Sequence, residues 1–150
     1  MDTLTPAQRH KNMSNIRAKE TEPEKEIRSA LHKIGFRFRK NDSRLPEKPD
    51  IVLPHYNAVI FVNCCFWHGY TGCKKFVVPK TNTEFWLNKI DRNKKRDKAE
   101  IEQLQEDGWR VGVVWECSIT GKGRAVKIRD VSEEISFWLE EGFYEIFKEF

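Results

Sequence analysis

The sequence predicts an α/β fold in which helices flank a mixed β-sheet. Segments with helical spacing of apolar residues alternate with short apolar segments typical of strands. Their order is a helix, about three strands, a helix, a strand and a helix, which fits a sheet covered on both faces. The chain has 150 residues, of which 39% are hydrophobic and 33% charged. This length and composition indicate one globular domain over residues 1–150.

The first helix is predicted between Thr21 and Gly35. Thr21 and Glu24 have the spacing of a capping box, with Pro23 in the first turn. Apolar residues then recur at helical spacing until Gly35, a residue type that commonly ends helices.

The strands are predicted from alternation and from apolar runs. Residues Phe36–Lys40 alternate between aromatic and basic side chains, which is typical of a strand. Asp50–Leu53 and Ala58–Val62 are strand-like, and the turn-prone residues 55–57 between them predict a hairpin. Trp109–Trp115 is predicted to be a central strand.

Two further helices are predicted in the second half of the chain. A long one begins at Thr83 or Glu84 and ends at Gly108. The last one runs from about Asp130 and carries its apolar residues on one side.

The distribution of charge suggests a basic face. Lysine and arginine exceed aspartate and glutamate by 27 to 23, a net charge of +4. Basic residues cluster at Arg9–Lys11, Arg37–Lys40, Lys74–Lys75 and Arg92–Arg96, whereas acidic ones collect in Glu133–Glu149. A surface that follows a phosphate backbone would have this character, although solvated helix faces would too.

The remaining composition bears on location. No apolar run approaches the ~18 residues of a membrane span, and residues 1–6 lack the features of a secretory signal. The four cysteines therefore favour metal binding or buried thiols over disulfides. We expect a cytoplasmic protein whose residues 1–20 form a polar arm.

Asp50 is the first candidate for a chemical role. It follows Pro49 and opens an apolar strand, where a charge is expensive unless the strand end belongs to a site. The alternative is a carboxylate exposed to solvent at the end of a strand.

Asp97 is the second candidate. It falls on the apolar stripe of the long helix, where an unpaired carboxylate costs several kcal/mol. His68 is one partner that would explain both residues, because a carboxylate orients an imidazole for proton transfer. A salt bridge to Lys94 or Arg96 is the alternative.

Three cysteines form the third candidate. Cys65 and Cys73 follow one predicted central strand, and Cys117 follows another. If the two strand ends are adjacent, three thiolates could bind Zn²⁺ and tie down the long loop. Buried free cysteines are the alternative.

The fourth candidate is a set of aromatic residues, Phe66, Trp67 and Trp86, in or beside the loops of the presumed site. Rings of this kind unstack and bend a DNA duplex when they insert between bases. They could instead roof the core, which is the preferred interpretation of Trp86 taken alone. Phe66 and Trp67 are adjacent, so at least one is expected to face a ligand.

Several segments together resemble the very-short-patch repair (Vsr) endonucleases, which nick DNA beside T:G mismatches formed by deamination of 5-methylcytosine. These segments are Pro49–Asp50, Cys65–Gly69, Pro79–Trp86, Arg96–Asp97 and Gly108–Cys117. The resemblance extends over residues 8–140, with its motifs in order. It implies a restriction-endonuclease-like mixed sheet flanked by helices, with a structural zinc site.

The resemblance also implies catalytic roles. Asp50 would bind Mg²⁺ together with the main-chain carbonyl of Val62, and Glu24 would lie close to the metal and its water. His68, oriented by Asp97, would handle the proton of a water near the scissile phosphate.

It implies roles in DNA binding and in zinc binding as well. Phe66, Trp67 and Trp86 would insert next to the mismatch, with Met13 of the N-terminal arm acting from the other groove. The zinc ligands would be Cys65, Cys73 and Cys117.

The chain departs from the family pattern at two places. Tyr70 stands where many members have a histidine, which leaves the fourth zinc ligand open between Cys64, water and loss of the metal. Asn63 stands where some members have a second active-site histidine, so catalysis would depend on His68 alone. The Asp-x(n)-Glu-x-Lys pattern of many restriction nucleases is absent from the Val59–Val62 strand.

These observations predict a monomeric, Mg²⁺-dependent endonuclease that nicks double-stranded DNA at T:G mismatches, with mismatch-repair proteins as possible accessory partners. The alternatives are a sequence-specific restriction-type endonuclease and a non-catalytic zinc-dependent DNA-binding module.

Overall fold

The fold is known from a computed structural model, which describes residues 21–42, 44–45, 48–74, 76–142 and 144–150. Its helices in these residues are α1 (Glu22–Ile34), α2 (Thr83–Glu106) and α3 (Arg124–Glu141). Its strands are β1 (Arg39–Lys40), β2 (Ile51–Leu53), β3 (Ala58–Asn63), β4 (Arg110–Trp115) and β5 (Phe147–Glu149), and short 3-10 turns span Pro54–Tyr56 and Glu116–Ser118.

The strands form a single mixed sheet in the order β1-β2-β3-β4-β5. β1, β2 and β3 pair antiparallel, whereas β3 pairs with β4 and β4 with β5 in parallel. The parallel pairs are connected through α2 and α3, as parallel strands require a crossover. Asn63 at the end of β3 consequently lies beside Trp115 at the end of β4, so the loops that follow both strands leave the same edge of the sheet.

Helices cover both faces of this sheet and enclose two apolar cores. In the first core, α1 and α3 pack on one face through residues such as Leu31, Ile135 and Trp138. In the second, α2 packs on the other face through Leu104, and the core continues into the buried thiols Cys65 and Cys73. The predicted α/β class with a mixed sheet flanked by helices is confirmed.

The element bounds differ from the prediction in three places. The strand predicted at Phe36–Lys40 shortens to β1, because Phe36 turns into the first core and leaves the ladder. α3 begins at Arg124, earlier than the predicted Asp130. β5 was not predicted, since a short strand with little burial in an acidic segment gives no apolar pattern.

No helix among the described residues is long and apolar enough to span a membrane. The predicted arm of residues 1–20, which includes Met13, lies outside the described residues.

Candidate active site

Asp50 lies directly before β2 and faces the end of β3. Its Oδ2 accepts a hydrogen bond of 2.6 Å from the backbone N–H of Val62. The N–H and C=O of one residue in an antiparallel strand point toward the same neighbouring strand. The Val62 carbonyl therefore lies on the side of β3 that faces Asp50, as a shared cation site would require.

Glu24 reaches the same pocket from α1. Its side chain is buried, with 1% of the residue exposed, and its Oε1 accepts a hydrogen bond of 2.7 Å from Nη1 of Arg28. The backbone N–H of Glu24 donates to Oγ1 of Thr21, the N-cap of α1. The backbone N–H of Glu24 thus takes part in helix capping, while its side-chain carboxylate lies in the pocket.

The two carboxylates lie close enough to perturb each other. Burial and, to a smaller extent, the nearby Glu24 carboxylate raise the pKa of Asp50 to about 7, although the Val62 N–H and the Arg28 charge act in the opposite direction. A buried and a half-buried carboxylate with a backbone carbonyl beside them form a hard oxygen donor set, of the kind that Mg²⁺ prefers. The residues present therefore fit the cation that the family resemblance implies.

His68 and Asp97 meet on the other side of the β3 end. Nδ1 of His68 lies 2.5 Å from Oδ2 of Asp97, with 23% and 13% of the two side chains exposed. Arg96, another partner considered for Asp97, donates to Oδ1 of Asn93. A carboxylate accepts the proton of Nδ1, which leaves the lone pair of Nε2 available for proton transfer.

Helix α2 also fixes the loop that carries His68. Nδ2 of Asn93, one helical turn before Asp97, donates to the carbonyl of Trp67 at 2.9 Å. Gly69 has a φ of +63°, and a Cβ there would lie 2.5 Å from Cγ2 of Ile90. Asn93 was not predicted, although its spacing of four residues from Asp97 places both on the same side of the helix.

The three predicted zinc ligands come together. The sulfur atoms of Cys65, Cys73 and Cys117 all lie within 4.8 Å of one another. Burial and the adjacent thiols raise the pKa of Cys65 to about 12. A cluster of thiols that resist ionisation becomes stable as thiolates when a cation is bound, and Zn²⁺ is the common ion for such a donor set.

The fourth zinc position receives no help from Cys64. Its thiol donates to the carboxylate of Glu116, on the 3-10 turn after β4, and among the described residues only Cys65, Cys73 and Cys117 gather in this group. The structure thus does not group Cys64 with the three other thiols.

Tyr70 lies beside the cluster and packs against β4. Its ring stacks on Trp115, with centroids 4.3 Å apart and planes 2° from parallel. A Cβ on Gly72 would lie 2.6 Å from Cζ of Tyr70, so the glycine makes room for the ring. Stacking explains the position of Tyr70 without zinc ligation.

The aromatic residues form one half-exposed cluster. The ring centroids are 5.3 Å apart for Phe66 and Trp67, 5.7 Å for Phe66 and Trp86, and 5.9 Å for Trp67 and Trp86, all edge to face. Nζ of Lys89 lies 4.8 Å from the Trp67 ring centroid, which favours a cation–π contact. Lys89 was not predicted from the sequence.

Two charged residues of the site were also missed from the sequence. Arg28 is 6% exposed, and its position four residues after Glu24, on the buried stripe of α1, was the signal that could have found it. Burial raises the pKa of Glu116, and the hydrogen bond from Cys64 opposes this rise. The only feature of the sequence that could have indicated Glu116 is its place at the end of β4, next to half-buried Asn63 at the end of β3.

Comparisons with known proteins identify the family of this chain. The family described as DNA mismatch endonuclease Vsr matches residues 1–75. The DNA mismatch endonuclease Vsr of Escherichia coli (strain K12) is 43% identical over 138 residues, which cover 92% of this chain and 87% of that protein.

Two type II nicking enzymes are similar as well. V.XorIIP of Xanthomonas oryzae pv. oryzae is 45% identical over 81% of this chain and 89% of its own length. V.NmeAIP of Neisseria meningitidis serogroup A is 46% identical over 81% of this chain and 86% of its own. Because the family match covers half of the chain and these relatives align over most of both lengths, the chain belongs to the Vsr family of DNA mismatch endonucleases.

Proposed function

We propose that this endonuclease nicks one strand of double-stranded DNA beside a T:G mismatch, and that the hydrolysis depends on Mg²⁺. The observation that carries the proposal is the pairing of the buried Glu24 carboxylate with the half-buried Asp50 carboxylate at one side of the β3 end, with an imidazole held by Asp97 at the other. Its endonuclease class follows from the family, whereas the mismatch and the cation are inferred here.

Asp50, Glu24 and the Val62 carbonyl would hold the cation. Their support is the hard oxygen donor set and the raised pKa of Asp50, which reflects burial of its carboxyl group and the nearby Glu24 carboxylate. Bound Mg²⁺ supplies charge neutralisation at a phosphate oxygen and a water of lowered pKa.

His68 acts as the general base in this proposal. Nε2 takes a proton from the attacking water, while Asp97 keeps the proton on Nδ1 and stabilises the imidazolium that forms. A positioned acid–base group of this kind contributes roughly 10²–10⁴-fold to a rate. Asn63 gives no second imidazole, so His68 carries this role alone.

The aromatic cluster would read the mismatch. Phe66, Trp67 and Trp86 contact one another edge to face and remain half exposed, so insertion into DNA would exchange ring–ring contacts for stacking on bases. A T:G pair is less well stacked than a matched pair, which lowers the cost of insertion at that step. Met13 would assist from the other groove.

The side chains around this cluster would bind the phosphates. Helix α2 carries a series of basic residues that are exposed or half exposed: Lys89, Arg92, Lys94, Lys95, Arg96 and Lys98. Such a row supplies sequence-independent affinity that falls with salt.

Zn²⁺ on Cys65, Cys73 and Cys117 would tie the loop after β3 to the end of β4. The support is the gathering of the three sulfur atoms within 4.8 Å, which matches a thiolate donor set. A water molecule would be the fourth ligand in this proposal, since Cys64 does not group with the three other thiols.

The proposal treats residues 1–150 as one monomeric endonuclease domain with residues 1–20 as a DNA-contacting arm. Cytoplasmic location and accessory repair proteins stay predictions.

A nicking assay tests the proposal. Duplexes that differ only in a central T:G, T:A or C:G pair carry different labels on the two strands and are incubated with Mg²⁺, with or without EDTA. We expect cleavage of the T-containing strand of the T:G duplex alone, and none with EDTA. Equal cleavage of the T:A duplex, or cleavage of both strands, would indicate a restriction-type enzyme, and undiminished cleavage in EDTA would exclude the cation's role.

A further inference from the structure

The buried guanidinium of Arg28 is a feature that the proposed mechanism does not use. Pairs of glutamate and arginine four residues apart usually lie on solvated helix faces. Here both side chains are buried, at 7% and 2% exposure for Arg28 and Glu24, with 2.7 Å between Nη1 and Oε1. A buried ion pair is seldom more stable than an apolar pair of the same size, so stability alone does not explain this placement.

The position of Arg28 relates it to the candidate cation site. It contacts Glu24 directly, and its charge stabilises the ionised form of Asp50. Arginine stays protonated in proteins, so its positive charge is a permanent part of the pocket whether or not a divalent cation is present.

The formal charges of the pocket then have a simple consequence. Two ionised carboxylates and the Arg28 guanidinium together carry a net charge of −1. Binding of one divalent cation changes this net charge to +1. A DNA phosphate group supplies the missing negative charge. Without Arg28, the divalent cation alone would neutralise the pocket.

We propose that Arg28 is a positioning residue that couples divalent cation binding to DNA binding. This inference rests on the proposed function, since it requires a phosphate group to reach the Glu24–Asp50 pocket. Arg28 holds the Glu24 carboxylate in place and weakens cation binding until DNA arrives. By linkage, the cation strengthens DNA binding by the same factor.

The coupling is measured without cleavage. Fluorescence anisotropy gives the Kd of a labelled duplex with EDTA and with saturating Ca²⁺, an oxygen-preferring cation, and a denaturing gel verifies that the duplex stays intact. Calorimetry gives the Ca²⁺ affinity of the DNA-free protein. For the wild type we expect Ca²⁺ to lower the duplex Kd about tenfold, within the usual range of coupling between sites.

Two variants separate charge from hydrogen bonding. Arg28→Gln keeps an N–H donor for Glu24 but removes the charge, so the Ca²⁺ effect on duplex Kd should fall below about twofold, while the DNA-free protein binds Ca²⁺ more tightly. Arg28→Lys keeps the charge and should retain most of the coupling. Arg129→Gln is the matched control, because it removes an exposed positive charge of α3 and should leave the coupling unchanged.

Retention of the full Ca²⁺ effect in folded Arg28→Gln would overturn the inference. The wild-type protein provides a second test, which does not depend on whether the variant folds. Equal Ca²⁺ affinity of the wild type with and without DNA would also overturn the inference. A matched duplex serves as well as a T:G duplex, since the phosphate carries the charge. Failure of the nicking assay with intact coupling would therefore reject the T:G activity and leave the role of Arg28 standing.

Discussion

The carboxylate pocket of Glu24 and Asp50 and the thiol cluster of Cys65, Cys73 and Cys117 lie near the same end of β3 but are held in different ways. The carboxylates are fixed by groups of the fold itself, a backbone N–H of β3 and a guanidinium of α1. Two of the thiols come from a stretch between β3 and α2 in which the described residues contain no helix or strand.

This difference teaches what each metal would do. A pocket already held by hydrogen bonds needs a cation for chemistry, whereas a loop without regular structure needs one to stay folded. Oxygen donors suit Mg²⁺ and thiolates suit Zn²⁺, so the two ions would separate by donor type. Damage to the pocket should therefore reduce activity, and damage to the cluster should reduce stability.

Asp50→Asn should give the largest effect. Nicking of a T:G duplex should fall by about four orders of magnitude, on the order of 5.5 kcal/mol in the barrier, because the main cation ligand is lost. The melting temperature of the metal-free protein should stay equal or rise, since the substitution removes a buried acid with a raised pKa. Single-turnover kinetics and thermal melts measure the two.

Asp130→Asn is the control for that variant, because Asp130 is an exposed acid of α3. A folded Asp50→Asn protein that nicks at the wild-type rate would remove Asp50 from the site and with it the contrast drawn here.

Asp97→Asn should come next. The nicking rate should fall by roughly 10²–10⁴-fold, because an amide no longer fixes the proton on Nδ1 of His68 or stabilises its charged form. Duplex affinity in Ca²⁺ should change little, which anisotropy measures. The control is Asp91→Asn, which changes an exposed acid paired with Lys95 on the same helix and should nick at the wild-type rate. A wild-type rate in Asp97→Asn would instead show that the His68–Asp97 pair is only structural.

Cys73→Ser tests the other region. It should lower the free energy of unfolding by about 2–4 kcal/mol and abolish bound zinc, because one thiolate of the cluster is lost. Metal analysis and denaturant unfolding measure this. Cys64→Ser makes the same chemical change outside the cluster and should keep the zinc; zinc loss in Cys64→Ser with retention in Cys73→Ser would reverse the assignment.

The smallest expected effect is the change in the free energy of unfolding per pH unit. Burial raises the pKa of Asp50 from 3.8 to about 7 in the folded protein, so between these values the folded chain holds a proton that the unfolded chain has lost. Stability of the metal-free protein should therefore fall as pH rises from about 4 to about 7, by at most about 1.4 kcal/mol per pH unit. Asp50→Asn should flatten this slope relative to wild type in urea titrations, whereas the Cys73→Ser slope should remain; an unchanged slope in Asp50→Asn would reject the raised pKa.

Much of the fold could be predicted because its signals are local. The Thr21 cap and the stripe of α1, the hairpin of β2 and β3, and the limits of α2 each depend on residues a few positions apart. β5 escaped prediction because its place is set by pairing with β4, which its own residues do not reveal.

The candidate site likewise has features that depend on local sequence and features that depend on tertiary contacts. The residue types of Asp50, His68 and the three cysteines, with their places at strand ends, were enough to predict from sequence the chemistry that is proposed for the site. Only the tertiary structure decided that Asp97 meets His68, that Cys64 turns to Glu116 and that Arg28 enters the pocket.

The sequence by itself thus determined the elements, the donor atoms and the family pattern, while the tertiary structure determined which charged and thiol groups become neighbours. The physical reason is range. Capping and periodicity act within one or two turns of chain, whereas the partner of a buried charge lies tens of residues away, as with the 29 positions between His68 and Asp97. That choice depends on how α2 packs against the sheet.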